Sequence, residues 1–357
     1  MLVEGEARSR RALRSARGYN ILMPRICIIP RVEGFGGVTS FRLKFEKGLR
    51  ARSVDVTYDL NQSSDAVLVL AGTKKLLPLW KARSRGGRIV QRLDGINWVH
   101  RVRWAGFRYT LRAFYGNWNL SFIRARLADK VVYQSQFIKR WWEDWYGEAR
   151  APSSVILNGV DLDHYSPVGA HERPTDFYRL LVVEGSLAGG LDSGLFYSVE
   201  LAKQLSKKHN IELVIVGNVD ARAKNKVQEQ KDFRLRFINS VPREELPFLE
   251  RSSHILFSAE VNPPCPNSVI EALACGLPVV GFDTGSLAEI VQGNAGRLAP
   301  YGANPWKLER PDIPSLAEAA EEVLRDNERF RKSARERAES VFGLEKMTEE
   351  YLKVLLS

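Results

Sequence analysis

Short apolar runs recur along this chain with helical patterns between them, and no other feature restricts its fold as much. The runs occupy 26–29, 66–70, 88–93, 131–134 and 155–157, then 180–183, 213–216, 235–238, 255–257 and 278–281. Helical periodicity fills most intervals, for example at 39–50, 137–146, 195–208 and 315–325. A strand that is apolar almost throughout has both faces covered, which is the habit of parallel sheets flanked by helices. Ten such runs are too many for one ordinary sheet. The two series are separated by the stretch from Pro167 to Pro174, framed by prolines and without apolar periodicity, as an interdomain linker would be. The expectation is an α/β chain of two doubly wound, Rossmann-like parallel-sheet domains. They would span 23–166 and 167–341 and face a cleft where ligands bind beyond the carboxyl ends of the strands.

The length of 357 residues suits two domains of ordinary size. Charge is uneven between them. Residues 1–165 hold 29 Lys and Arg against 14 Asp and Glu, whereas the remainder carries a net charge of −4. A basic half points to an anionic surface or substrate, with a merely solvated basic face as the alternative. Residues 1–22 contain five arginines and lack the apolar core of a secretory signal, so a disordered basic tail or an over-extended start is expected before Met23. No apolar run approaches the roughly 20 residues needed to span a bilayer. Cys27, Cys265 and Cys275 form no CxxC pair, which disfavours a disulfide framework or a zinc site and suggests a cytosolic setting.

Chemistry concentrates between Ile255 and Val280, which reads as a strand, a Pro-rich loop, a short helix, a Gly stop and a second buried strand. Asn267 suits the helix N-cap, and Gly276 suits the left-handed position that ends the helix. A helix N-terminus at a strand's carboxyl end offers free N–H groups to an anion. Glu271, one turn in, could accept sugar hydroxyls in pairs. It could equally be an acid that complements the helix dipole. Gly34, Gly36 and Gly37 follow the first strand, either as a plain tight turn or as a loop whose N–H groups approach a phosphate.

Several segments together resemble the family 4 glycosyltransferases, which have the two-domain GT-B fold. They are Phe237 to Val241 leading to Arg243–Pro247, Glu271 to Val280, Asp283 to Val291, and Asn158-Gly-Val-Asp161 near the end of the first domain. Val132 to Phe137 and the glycines at 36 and 37 also sit where that family places similar residues. The resemblance implies a retaining, metal-independent enzyme that uses a nucleotide-diphosphate sugar as co-substrate and no cofactor. It implies that Gly36 and Gly37 close over the donor diphosphate and that Glu271 holds the ribose. Backbone N–H groups of Asn267, Ser268 and Val269 would meet the diphosphate or sugar, with Asn239 and Ser240 against the base. It also implies that 342–357 forms a helix returning to the first domain.

The pattern departs from the family where an Arg and a Lys usually stand, because Ser186 and Leu191 occupy those positions. The first of the usual paired glutamates is replaced by Pro263, with Glu260 further upstream. Preorganised charge is often the largest contribution to catalysis, so other basic residues must substitute if the chain is an enzyme. Asp94 follows the third run, where relatives often carry a histidine on the catalytic side. It could orient an acceptor hydroxyl or the donor sugar, or simply form an Asp-Gly turn. Asp161 and Asp163 form a D-x-D pattern remote from the donor motif, better suited to capping than to a metal.

Trp98, Trp104, Phe107, Leu111, Phe114, Tyr115 and Trp118 recur mainly at three- and four-residue steps, while Arg101, Arg108 and Arg112 share another face. Such a basic aromatic helix could lie on an anionic membrane, stack on sugar rings or bases, or be a core helix with a solvated face. Gly106 and Gly116 argue against one long helix, and no recognised module accompanies the charge that would favour nucleic acid. The expected function is sugar transfer to a glycan or lipid-linked acceptor, in the cytoplasm or at the inner membrane face. A non-catalytic relative acting as a scaffold in polysaccharide assembly is the alternative.

Overall fold

The computed structural model describes residues 23–34, 36–104, 106–187, 193–228, 232–239 and 241–357. The basic tail, Ser240 and Leu191 lie outside the described residues. Two six-stranded sheets are present, and every strand pairing in them is parallel. The first contains β1 (Arg25–Ile29), β2 (Asp55–Thr57), β3 (Ala66–Leu70), β4 (Arg88–Leu93), β5 (Lys130–Tyr133) and β6 (Ser153–Val155), in the order β2-β1-β3-β4-β5-β6. The second contains β7 (Tyr178–Leu187), β8 (Ile211–Val219), β9 (Arg234–Ile238), β10 (Ile255–Phe257), β11 (Val279–Phe282) and β12 (Gly296–Ala299), in the order β12-β11-β10-β7-β8-β9. Both are doubly wound orders, with switch points between β1 and β3 and between β7 and β10. The loops after β1, β7 and β10 therefore open where such sheets bind ligands.

The ten expected runs become twelve strands. The additions, β2 and β12, are short edge strands containing Asp55 and Arg297, and their polarity hides them from an apolar pattern. Each sheet is covered on both faces. Phe41, Phe45 and Leu49 pack on one face of the first, and Leu79, Ile123 and Leu127 on the other. In the second, Leu195, Leu201 and Leu316 cover one face and Ile270, Leu273 and Phe342 the other.

The helix Leu344–Leu356 closes the first domain's core, not the second's. Its Leu344, Met347, Tyr351 and Leu355 join the cluster built around Phe41 and Phe45. The Tyr351 ring lies 5.2 Å from Phe41 and 5.1 Å from Phe45, centroid to centroid. Gly48 permits the close crossing, since a Cβ there would stand 2.1 Å from Thr348 Oγ1.

Three local readings are corrected. Asn267 is not the N-cap but the first helical residue, because Pro266 takes the extended cap position. Phe107–Arg126 is one continuous helix of 20 residues, with Gly106 just before it and Gly116 accommodated beside Asn97. That helix is not a core helix with a polar outer face, because its aromatic face is the exposed one. Gly276 does end its helix with φ of 67°, a conformation that suits glycine.

Candidate functional site

Gly36 leaves the loop after β1 with φ of 126° and starts the helix Gly37–Arg50, one wall of the cleft between the domains. The opposite wall is formed by the ends of β7 and β8, the segment after β9, and the loop joining β10 to the helix Asn267–Ala274. The walls nearly touch: a Cβ on Gly185 would lie 3.9 Å from Gly36 Cα, and one on Gly37 would lie 3.7 Å from Asn267 Nδ2. Between them is a cavity of about 430 Å3. Because Pro266 has no side-chain oxygen, the first N–H groups of the Asn267–Ala274 helix receive no side-chain cap. Asn267 and Ser268 line the cavity there.

A lysine that the sequence pattern does not single out spans this opening. Lys44 Nζ lies 2.6 Å from Glu271 Oε1 and donates to Asn267 Oδ1 at 3.2 Å. Asn267 Nδ2 in turn donates to Gly37 O at 3.4 Å. Lys44 follows Gly37 and Ser40 at steps of three and four, so it shares the helix face that borders the cleft. That register, counted from the glycine loop, is the signal that could have found it.

A second buried pair stands at the end of β4. Arg92, 1% exposed, forms an ion pair with Asp94 and donates from Nη2 to Gln134 Oε1 at 2.8 Å and to Asn158 Oδ1 at 2.9 Å. Its guanidinium lies 4.0 Å from the centroid of the Phe41 ring. Asp94 lines the cavity and is thus held by a buried cation. Arg243 also lines the cavity and makes no ion pair among the described residues.

Glu184 and Glu260 face the same space. Desolvation, reinforced by the charge of Glu260, lifts the Glu184 carboxyl to about 8, partly offset by backbone N–H groups of Ala259 and Glu260. Desolvation lifts Glu260 to about 7. These two acids stand near the place where the related pattern would carry cations, and protonation limits their repulsion of an anion.

The other expected residues are distributed as follows. Gly36, Gly37, Asn239, Asn267, Ser268 and Glu271 line the cavity. Val269 turns its side chain into the core, leaving only its backbone near the helix opening. Ser186 does not line the cavity: it is exposed on β7 opposite Asn218, after a register irregularity that begins at Val183. Asp161 is engaged in an ion pair with Lys47 and accepts from Asp163 N and His164 N, both at 3.2 Å, so it caps a turn. Arg101, Trp104, Arg108 and Arg112 are exposed. Trp98 is corrected to a buried position, its ring 5.2 Å from that of Trp306, which arrives from the second domain.

Residues 190–341 match the model of the glycosyl transferases group 1 family. An uncharacterised glycosyltransferase of Methanocaldococcus jannaschii is 26% identical in an alignment of 170 positions that covers 44% of this chain and 44% of that protein. The fold is similar to that of a sucrose-phosphate synthase from Thermosynechococcus elongatus, with a TM-score of 0.71 and 17% identity over 93% of this chain and 98% of that one. It is also similar to Anabaena HepE in complex with UDP-glucose, with a TM-score of 0.64 and 14% identity over 93% and 99% of the two chains. At these identities the structural likenesses speak for the fold. The chain thus has the two-domain GT-B fold, and its residues 190–341 match the group 1 glycosyl transferases.

Proposed function

We propose that the protein moves a sugar from a nucleoside-diphosphate donor to a hydroxyl acceptor, with retention at the anomeric carbon and without a metal ion. One observation carries the reading: Lys44 crosses the cleft to the uncapped opening of the Asn267–Ala274 helix and to Glu271. A diphosphate placed there would meet backbone N–H groups, the helix dipole and an ammonium at once. Lys44 and Arg243 would supply the charge that Ser186 and Leu191 do not. Glu271, an acceptor with several lone pairs, would take ribose hydroxyls beside Lys44. Asn239 would lie against the base, and the Gly36–Gly37 backbone would close over the phosphates.

In the transfer, the bond from the anomeric carbon to the diphosphate oxygen breaks as the acceptor oxygen bonds to that carbon on the same face. The acceptor proton passes to the departing phosphate oxygen. Asp94, fixed by Arg92, would orient the acceptor hydroxyl. The acceptor proposed is a glycan, free or lipid-linked. Supporting this, a cavity of about 510 Å3 walled by Trp98, Phe137, Trp141, Trp145 and Trp306 lies beyond Asp94. There a Cβ on Gly95 would stand 3.2 Å from the Trp141 ring. An aromatic lining suits the apolar faces of sugars.

Calorimetry with UDP, GDP and ADP, followed by turnover with the corresponding nucleotide sugars, tests the reading. One diphosphate should bind and Glu271→Ala should weaken it at least about tenfold. Absence of binding by all three defeats the donor site. Binding without diphosphate release from any sugar would favour the scaffold alternative, consistent with Ser186 standing outside the cavity.

A further inference from the structure

The helix Phe107–Arg126 buries Asn117, Asn119 and Arg124 beside Ala113 and Ile123, and it exposes most of its large apolar residues. Toward the protein it presents Asn117, whose Oδ1 accepts from Asn97 N and Nδ2 at 3.0 Å. Asn119 Oδ1 accepts from Thr73 N at 3.1 Å while its Nδ2 donates to Thr73 O at 3.0 Å. Arg124 is buried as well, donating to Tyr133 Oη at 2.8 Å and to Gly147 O at 2.6 Å. Toward solvent it presents Phe107, Leu111, Phe114, Tyr115 and Trp118, which helical spacing keeps on one face, and Trp104 precedes them. Trp104 is 75% exposed, Phe107 70% and Trp118 52%. The surface helix of a water-soluble domain has the opposite arrangement, so this face is built to be covered.

Charge specifies what covers it. No Asp or Glu stands between Asp94 and Asp129, whereas six arginines do. Arg108 and Arg112 are exposed and make no ion pair among the described residues. The adjoining helix Leu76–Ser84, tied on by Arg83 Nη1 donating to Arg126 O at 3.1 Å, adds exposed Leu77 and Trp80. No helix among the described residues is long and apolar enough to cross a membrane. Aromatic rings beside arginines without any acid match the depth profile of an anionic lipid interface, with rings at the headgroup level and guanidiniums on the phosphates. We infer that this face docks on the surface of an anionic lipid bilayer, with the helix lying in the plane of the headgroups. The inference stands apart from the donor site and survives if that site fails.

Flotation of the full chain with phosphatidylcholine vesicles, with and without about a quarter phosphatidylglycerol, tests it. Anionic vesicles should carry at least about tenfold more protein, and salt near 1 M should remove most of the difference. The triple variant Trp104→Ser, Phe107→Ser, Leu111→Ser and the double variant Arg108→Glu, Arg112→Glu should each lose that binding with melting temperature unchanged, since all five residues are exposed. Equal binding to both vesicle types, or undiminished binding by both variants, overturns the inference. So does a wild-type dimer in light scattering that the triple variant dissociates, which would make the face an interface between copies.

Discussion

Lys44 Nζ stands 2.6 Å from Glu271 Oε1, an ion pair between the two domains. Both side chains are nearly buried, so removing one strands the other's charge. Lys44→Ala should therefore lower kcat/KM for the best donor by about a hundredfold, roughly 2.7 kcal/mol, whereas Lys44→Arg should retain more. Steady-state kinetics with saturating acceptor measures this. An alanine variant with wild-type kcat/KM would remove Lys44 from the donor site.

Asp94 neutralises a guanidinium that is 1% exposed. Asp94→Asn keeps the shape but leaves Arg92 without its counter-charge, so a loss of stability of about 3 kcal/mol is expected, visible in urea denaturation. Activity lost by this variant must be corrected for unfolding before a chemical role is assigned. If stability is intact while turnover falls, Asp94 acts on substrate and not only on Arg92.

Stability should fall as pH rises through the neutral range, because the Glu184 carboxyl is lifted to about 8 and Glu260 to about 7, against an ordinary value of 4.5. Between 4.5 and 8 the native state holds protons that the unfolded chain has released, so ionisation opposes folding. Glu184→Gln should raise the melting temperature at pH 8.5, by an amount worth about 1 kcal/mol or more, and change it little near pH 4. If a nucleoside diphosphate binds in this cleft, the same variant should flatten any loss of its affinity as Glu184 ionises. Identical pH profiles for wild type and variant would show that the two acids are not crowded in solution.

At Gly48, a methyl group would collide with Thr348 on the returning helix. Gly48→Ala should destabilise the protein by about 1–3 kcal/mol despite alanine's better helix propensity. Adding Thr348→Ala should recover part of that, as thermal melts of the single and double variants will show. Full stability in the single variant would mean that the helix crossing is looser than described.

The parallel sheets were legible because their central strands are buried on both faces, so Ala66–Leu70 and Leu213–Val216 read as unbroken apolar runs. Edge strands such as Asp55–Thr57 lack that mark. Glu271 stood out through its motif, but Lys44, 227 positions away, did not, since nothing local tells which side of a helix meets a distant loop. The aromatic periodicity of Phe107 to Trp118 identified one face but not its direction, and burial of Asn117 and Asn119 reversed the ordinary choice. Trp98 was grouped with that face by spacing alone, whereas the short turn Val99–Arg101 breaks the register and sends it inward.

The returning helix Leu344–Leu356 bears on how the molecule is assembled during synthesis. The second domain draws its interior from residues up to Phe342, ahead of that helix. The first domain, although translated earlier, waits for Leu344, Met347, Tyr351 and Leu355 to seal it. Its sheet must persist for most of elongation with one flank open, which makes that flank the natural place for a chaperone to sit and for early misassembly to begin.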